Sequence, residues 1–414
     1  MAAVNVTDAA ASAYLKNRFT KKRIENMSYG ESPLLAMTPK KEDFGGINLK
    51  VPVSYADLKG RSATFSIAQA NKQGSDTKAF LITTVEDYAL FSIKGRMIKQ
   101  SRGDVNAWLP ALEKEADSAA RSLARSAAWS MYRTSVGDIG RCDATSGTTI
   151  TLGSAASGNR ADVQNFEVGM KIYFANPTGP ALRDSGATLT VDAIDRDAGT
   201  LTVSANLNTI SGLTADDYII PEGDFEKRLT GLGSWIPDAV GDVGTLFGVD
   251  RSDDPTRLGG VRFNASGMNI LEAIIDAAAR CAENGARPDK LFINFDKWRE
   301  LCNYLGSQKM YTQGTAWAPS GQPKADVGFQ GVRLHGPSSV IDVYADRHCP
   351  GDKGYLLQMD TWCLHSTGGV PMLLEEDGQS ILREATDDAY EGRWGCYYQM
   401  YTNAPGYNCV ITNL

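Results

Sequence analysis

A long alanine-rich segment, residues 106–134, constrains the fold of this chain more than any other feature. It reads NAWLPALEKEADSAARSLARSAAWSMYRT, and its apolar side chains recur at three- and four-residue steps, which places them on one face of an α-helix. Pro110 falls in the first turn, where proline is tolerated. The segment predicts a rod of about 40 Å at ~1.5 Å per residue. The apolar stripe consists of Leu109, Leu112, Ala116, Ala119, Leu123, Ala127 and Met131.

Residues 62–98, ahead of the rod, predict a long two-stranded hairpin. SATFSIAQ alternates apolar and polar residues, with Phe65 and Ile67 on one face, and AFLITTVEDYALFSIKGRMI supplies the return strand. The polar ANKQGSDTK between them suits a turn. A two-stranded ribbon is marginal in water by itself, and this one has no evident partner in its own chain. We therefore expect it to lie across a neighbouring subunit and to bury Phe65, Ile67 and Leu81 there.

A compact β unit follows the rod helix. Between residues 148 and 223 the chain contains five short strand candidates, TTITLG, GMKIYFA, ATLTVDAID, GTLTVSA and DYIIPEG. Such a set closes most naturally into a small barrel or sandwich with its own core. Its position predicts an insertion at a point where two ends of a host domain meet.

The second half predicts a mixed α/β domain. A helix is expected in GMNILEAIIDAAARCAENG and a shorter one in DKWRELCNYLG, with strands in KLFINF, GVRLHG, SSVIDVYAD, KGYLLQMD and TWCLHS. The tail reads as two strands around the turn Ala404-Pro405-Gly406. Residues 1 to about 40 predict an arm that carries a short helix and the basic cluster KNRFTKKR.

Composition narrows the class of protein. With 414 residues and 42% hydrophobic content the chain can bury two or three cores. Its net charge of −7 argues against a protein whose main task is to grip nucleic acid. No apolar run approaches the ~20 residues of a membrane span, and the first residues lack the apolar core of a secretory signal. The seven cysteines are scattered without a CxxC, which is typical of reduced thiols in a cytosolic setting.

Metal and catalytic sites receive little support from the sequence. His348 with Cys349, and Cys363 with His365, lack the paired spacing of zinc sites, so we expect core cysteines and a surface histidine. The acidic stretch VDRSDDPTR, with Asp250, Asp253 and Asp254, could hold a divalent cation, but an Asx-turn with local ion pairs is the favoured interpretation. No nucleotide-binding, hydrolase or metalloprotease motif occurs. We expect no enzyme activity and no cofactor.

The order of the parts resembles the major capsid proteins of tailed bacteriophages. GRSATFSIAQANKQGSDTKAFLITTVEDYALFSIKGRMI is similar to the extended loop (E-loop) of that family, and the helix at 106–134 to its spine helix. LGSWIP, TLFGVDRSDDPTRLGGVR and DRHCPGDKGYLLQMDTW resemble segments of its axial domain. The resemblance implies an α+β chain with the HK97-like (Johnson) capsid fold.

This resemblance also implies a division of the chain. It predicts an N-terminal arm at 1–45, an E-loop at 58–92, a peripheral domain at 46–57, 93–141 and about 365–400, an inserted β domain at 142–223, and an axial domain at 224–364 and about 401–414. The residues expected to touch a neighbouring subunit are Phe65, Ile67, Lys72, Gln73, Asp76, Lys78 and Leu81. The basic residues expected to face packaged DNA are Lys21, Lys22, Arg23, Arg121 and Arg125.

The function implied is that of a shell subunit. Copies would assemble into hexamers and pentamers of an icosahedral head around double-stranded DNA, in the host cytoplasm and then the virion. The implied partners are the chain itself, portal, scaffold and decoration proteins, and packaged DNA, but no membrane. The inserted unit carries many carboxylates, so we expect it to face outward. Two alternatives are an encapsulin-like protein compartment and a multidomain enzyme with a β accessory module.

Overall fold

A computed structural model of the chain describes residues 32–96, 105–153, 162–177, 179, 181–307, 332–375, 379 and 381–414. Its α-helices are α1 Pro33–Met37, α2 Phe65–Ala70, α3 Val105–Ser130, α4 Leu232–Trp235, α5 Ile270–Glu283 and α6 Phe295–Ser307. Short 3-10 helices lie at Asp162–Asn165, Arg183–Gly186, Leu207–Thr209, Val240–Asp242, Met359–Thr361 and Pro405–Tyr407.

The strands of the described residues form two six-stranded sheets, a closed barrel and two short ribbons. Their bounds are β1 Lys40–Lys41, β2 Leu49–Ala56, β3 Asp76–Ile82, β4 Val85–Lys94, β5 Gly140–Ser146, β6 Thr149–Leu152, β7 Lys171–Ala175, β8 Leu189–Asp195, β9 Thr200–Val203, β10 Tyr218–Pro221, β11 Thr245–Leu246, β12 Val249–Asp250, β13 Val261–Asn264, β14 Lys290–Ile293, β15 Val332–His335, β16 Val340–Ala345, β17 Lys353–Leu357, β18 Trp362–Ser366, β19 Met372–Leu373, β20 Leu382–Arg383, β21 Ala389–Thr402 and β22 Cys409–Thr412.

The predicted rod helix is confirmed as α3, which packs on the first sheet. The order of that sheet is β1-β18-β21-β19, with β20 and β4 also paired to β21. β21 pairs with β4 over ten residues, and α3 contacts both strands. Ala116 and Ala127 are fully buried, so small side chains let the helix lie close to the sheet.

The ribbon differs from the predicted hairpin. Its first strand is β2, upstream of the expected SATFSIAQ, and β2 pairs with β3. Residues 65–70, expected as a strand, form α2 at the tip. The return segment divides after Ile82, because β4 leaves the ribbon and joins the first sheet. Residues 85–92, assigned to the E-loop from the sequence, thus belong to the sheet under α3.

The base of the ribbon has a partner in its own chain, contrary to the sequence expectation. Phe80 and Ile82 are fully buried, and the Phe80 ring lies 5.0 Å from that of Trp235. The Leu81 N–H donates to the carbonyl of Phe247 at 3.0 Å. Only the distal part of the ribbon projects.

The β unit is a closed barrel of six strands, in the order β10-β5-β6-β9-β8-β7. The barrel begins with β5, a strand that the sequence did not predict. Its two ends meet, since the Ile139 N–H donates to the carbonyl of Ile219 at 2.9 Å. Its core is separate and includes Ile150, Phe166, Phe174, Val191, Leu201 and Ile219.

The second six-stranded sheet has the order β13-β22-β17-β14-β16-β15 and packs with α5 and α6 around a core of its own. The two tail strands, β21 and β22, lie in different sheets and therefore join the two halves of the chain. The predicted domain limits near 365 and 400 both fall inside strands, β18 and β21.

Candidate assembly interface

The tip of the ribbon presents an apolar surface that the described chain does not cover. Phe65 is 81% exposed and Ile67 50% exposed, both on α2, a helix without a buried residue. Leu58 is 69% exposed. We call these three residues the tip patch. Leu81, at the base of the ribbon, is 39% exposed. An uncovered aromatic ring among aliphatic side chains is typical of a contact surface.

The polar residues of the ribbon divide into two groups. Lys72 and Gln73 are exposed near the tip, so their role as contacts to a neighbouring subunit stays a prediction. Asp76 forms an ion pair with Lys59. Lys78 forms an ion pair with Asp253.

Lys78 fixes the ribbon to the loop after β12 in the same chain. Its Nζ also donates to the carbonyl of Asp250 at 2.6 Å, and the hydrogen bond to Asp253 raises the pKa of Lys78. Its side chain is therefore used to hold the ribbon against the loop after β12. Asp76 is likewise paired within the chain, and for both residues the contact with a neighbouring subunit stays a prediction.

The acidic stretch after β12 has the geometry of a turn. The N–H of Ser252 donates to Asp250 Oδ1 at 2.9 Å, and the N–H of Arg257 donates to Asp254 Oδ1 at 2.9 Å. Across the described residues no cluster of three or more His, Cys, Asp or Glu side chains could hold a metal ion. The Asx-turn interpretation from the sequence accounts for these carboxylates.

The histidine and cysteine pairs are buried in the interior. Cys349 and Cys363 are free and buried. His348 and His365 are buried as well, whereas His335 is exposed. The expected surface histidine is therefore neither of the two that accompany the cysteines. Burial lowers the pKa of His348 to about 3, which keeps the ring neutral.

Two of the basic residues expected to face DNA are described. Arg121 and Arg125 are exposed on α3 and line a cleft between that helix and the barrel. Arg125 Nη1 lies 4.0 Å from Glu167 Oε1 on the barrel. Lys21, Lys22 and Arg23 lie outside the described residues. Contact with DNA stays a prediction for all five.

Sequence reasoning missed a buried ion cluster that joins α3 to the barrel. Arg133, just past the end of α3, is 8% exposed and pairs with Asp162 and with Asp138, the latter at 3.4 Å. Trp129 of α3 lies in the barrel core. The partners are up to 29 residues apart, so no local pattern in the sequence could have indicated them.

Comparisons with known proteins bear on the fold. No protein-family model matches the chain, and no curated protein matches it. Among solved structures, the capsid asymmetric unit of cyanophage A-1(L) matches with a TM-score of 0.50 at 12% identity, covering 93% of both chains. A structure of Mycobacterium phage Bobi matches with a TM-score of 0.43 at 8% identity, covering 99% of both chains. A virus-like particle from Pyrococcus furiosus matches with a TM-score of 0.39 at 9% identity, covering 94% of this chain and 96% of the other.

The likeness to the cyanophage capsid shows the fold. The chain has an α+β capsid fold of the HK97-like type, as the resemblance implied. No helix in the described part of the chain is long and apolar enough to cross a membrane.

Proposed function

We propose that this chain is the major capsid protein of a tailed bacteriophage. Copies assemble into hexamers and pentamers, and these close into an icosahedral head around double-stranded DNA. The fold shared with the cyanophage capsid supports the class of protein. The single observation that carries the assembly step is Phe65, 81% exposed, at the end of a ribbon whose base is fixed in the core.

The ribbon is buried at its base and exposed at its tip. Val51, Phe80 and Ile82 anchor the ribbon in the interior, so the chain holds the tip patch outward instead of leaving it to fold back. A neighbouring copy that covers this patch and the exposed side of Leu81 removes Phe65, Ile67 and Leu81 from water. Each such contact is modest, but closure into rings and a shell makes many contacts act together.

The partners follow from this assignment. We infer contacts with portal, scaffold and decoration proteins, and non-specific contact with packaged DNA. The barrel faces outward, because carboxylates such as Asp192, Asp195 and Asp197 are exposed on it and would repel DNA phosphates. Assembly takes place in the host cytoplasm, and the product is the virion.

Electron microscopy of the purified protein tests the proposal. We expect closed shells or capsomers from the natural chain. A variant in which residues 61–70 are replaced by a Gly-Ser linker should stay folded by circular dichroism and fail to assemble. A natural chain that remains monomeric at every concentration, or a tip variant that assembles normally, would contradict the proposal. Nuclease-protected DNA in particles from infected cells distinguishes a viral head from an encapsulin-like compartment.

A further inference from the structure

The outer edge of β4 is not paired with any strand of the described residues. β4 pairs with β21 on its other side, so it is the edge strand of the first sheet, and it runs for ten residues, Val85–Lys94. An edge of this length presents a row of main-chain donors and acceptors to any strand that approaches it.

The hydrogen bonds of β21 identify the β4 residues that form this outward row. The Arg393 carbonyl accepts from the Leu374 N–H at 2.9 Å, so it points away from β4, and its cross-strand neighbour Leu90 is not bonded to β21. The Tyr397 carbonyl also points away from β4, which leaves its neighbour Glu86 in the same position. Because main-chain groups alternate in direction along a strand, the outward row consists of Glu86, Tyr88, Leu90, Ser92 and Lys94. Within the described residues, none of these five has a main-chain hydrogen bond on the outer side.

The side chains of the outward row are exposed as well. Leu90 is 60% exposed and Tyr88 46% exposed. Phe91 and Ile93, which alternate with them, point to the opposite face and are buried in the core that includes α3. Exposed apolar side chains beside an unpaired edge are typical of a contact surface.

β4 lacks the features that usually protect an edge strand. Natural edge strands carry proline, lysine or a bulge that discourages pairing. β2, the outer strand of the ribbon, has Lys50 and Pro52 and a register shift after Ser54. β4 has no proline and no register shift, and its one lysine, Lys94, is its last residue. The chain therefore protects one long edge and leaves the other open, which indicates that the open edge has a partner.

The outward row is complementary to itself when two copies run antiparallel. If Leu90 lies opposite Leu90 of a second copy, then Glu86 lies opposite Lys94 and Tyr88 lies opposite Ser92, on both sides of a two-fold axis. Opposite charges that face each other across strands are favourable. A shift of one copy by two residues in either direction loses both Glu86–Lys94 pairs.

The two charged side chains of the row are available for this pairing. Lys94 forms no ion pair within the described part of the chain. Glu86 Oε2 accepts from the Tyr88 hydroxyl at 2.8 Å, which leaves the second carboxylate oxygen for a cation.

We propose that β4 pairs with β4 of a second copy of this chain, antiparallel about a two-fold axis at Leu90. Each residue of the outward row then exchanges two main-chain hydrogen bonds with its opposite residue, and the first sheets of the two copies continue into one another. This contact is separate from the tip patch and does not depend on the assembly of a shell.

Cysteine substitution in the full-length protein tests the contact. Leu90→Cys places two thiols on residues whose Cα atoms are about 5.5 Å apart in a hydrogen-bonded pair, which suits a disulfide. Oxidation with diamide should therefore give a covalent dimer. The matched control is Val240→Cys, at a side chain that is 61% exposed, and it should give no more dimer than the natural chain, whose cysteines are buried or half-buried. Equal yields from the two variants would overturn the proposal.

Two single variants produced together test the register. Tyr88→Cys with an affinity tag should link to untagged Ser92→Cys, whereas Tyr88→Cys alone should not form a dimer. Dimers of Tyr88→Cys alone would overturn the register.

Charge exchange tests the Glu86–Lys94 pairs. Lys94→Glu should lower the yield of the Leu90→Cys dimer by about threefold or more, because it places two carboxylates opposite each other on each side of the axis. Adding Glu86→Lys should restore the yield. Lys50→Glu, an exposed change on β2, should leave it unchanged. A first variant without loss, or a second without recovery, would overturn the pairing.

The outcome is separable from that of the proposed function. Shells that form without the Leu90 link would overturn this inference alone, and the Leu90 link without any shells would support it while contradicting the proposed function.

Discussion

Arg228 shows how this chain accommodates charge in its interior. The side chain is 7% exposed and lies between two carboxylates, Asp87 and Asp224, with the Arg228 Nε 3.0 Å from Asp224 Oδ2. The guanidinium also stacks over the ring of Trp129 at 4.8 Å. Burial raises the pKa of Asp224 to about 6, although the Arg228 charge opposes the shift. Folding therefore favours the protonated form of this carboxyl.

The substitution Asp224→Asn should change how stability depends on pH. A carboxyl whose pKa is higher in the folded chain than the ~3.9 of the unfolded chain contributes most stability below about pH 4, and this contribution is lost as the pH rises to about 6. The variant lacks this loss. Relative to the natural chain it should gain about 2–3 kcal/mol between pH 4 and pH 7, measured by denaturant unfolding of unassembled subunits.

The exposed Asp192→Asn is the control for this measurement, and it should show no comparable gain. A difference between Asp224→Asn and the natural chain that stays constant with pH would contradict the assignment.

At the scale of elements, the sequence predicted correctly the helices and strands whose apolar faces are buried by the same chain. The stripe on α3 and the buried run of β14 were read correctly because periodicity reports a face that the chain itself buries. Phe65 and Ile67 also alternate, but neither is covered by the chain, so the strand that their spacing predicted does not form, and α2 forms instead. Gly140–Ser146 has little alternation and becomes β5 through its neighbours in the barrel. The Arg133 pairs depend on the completed fold.

Truncation of two phenylalanines of the ribbon should affect different properties: subunit stability for Phe80 and shell assembly for Phe65. Phe80→Ala removes a fully buried ring and should lower the free energy of unfolding by about 3–5 kcal/mol. Phe65→Ala removes an exposed ring and should change that free energy by no more than about 0.5 kcal/mol, while it reduces shell assembly. Denaturant unfolding and light scattering measure the two effects.

Val168→Ala, at an apolar side chain of the barrel that is 64% exposed, is the matched control and should affect neither quantity. If Phe65→Ala destabilised the subunit as much as Phe80→Ala does, the tip patch would be part of the interior and not an assembly surface.

At the scale of the whole molecule, the two six-stranded sheets form a host into which the barrel is inserted. The barrel strands lie between β4 of the first sheet and β13 of the second sheet along the chain. β21 and β22 are consecutive strands but belong to different sheets, so the last residues of the chain contribute a strand to each sheet. The barrel enters and leaves at adjacent points, Ile139 and Ile219. It is nevertheless tied to the host, because Trp129 is part of its core and Arg133 neutralises Asp162. The barrel should therefore be an independent folding unit only when it carries the end of α3.

Two fragments separate the stability of the barrel itself from the stability that Trp129 and Arg133 add to it. Residues 127–226 keep Trp129, Arg133 and the whole barrel, and we expect one cooperative thermal transition by circular dichroism. Residues 136–226 lack both side chains, which uncovers one side of the barrel core and leaves Asp162 without its cation. We expect this shorter fragment to lose about 3 kcal/mol or more, the typical cost of breaking a buried ion pair. Equal stability of the two would show that the end of α3 only rests on the barrel, and a longer fragment without a cooperative transition would show that the barrel needs the host to fold.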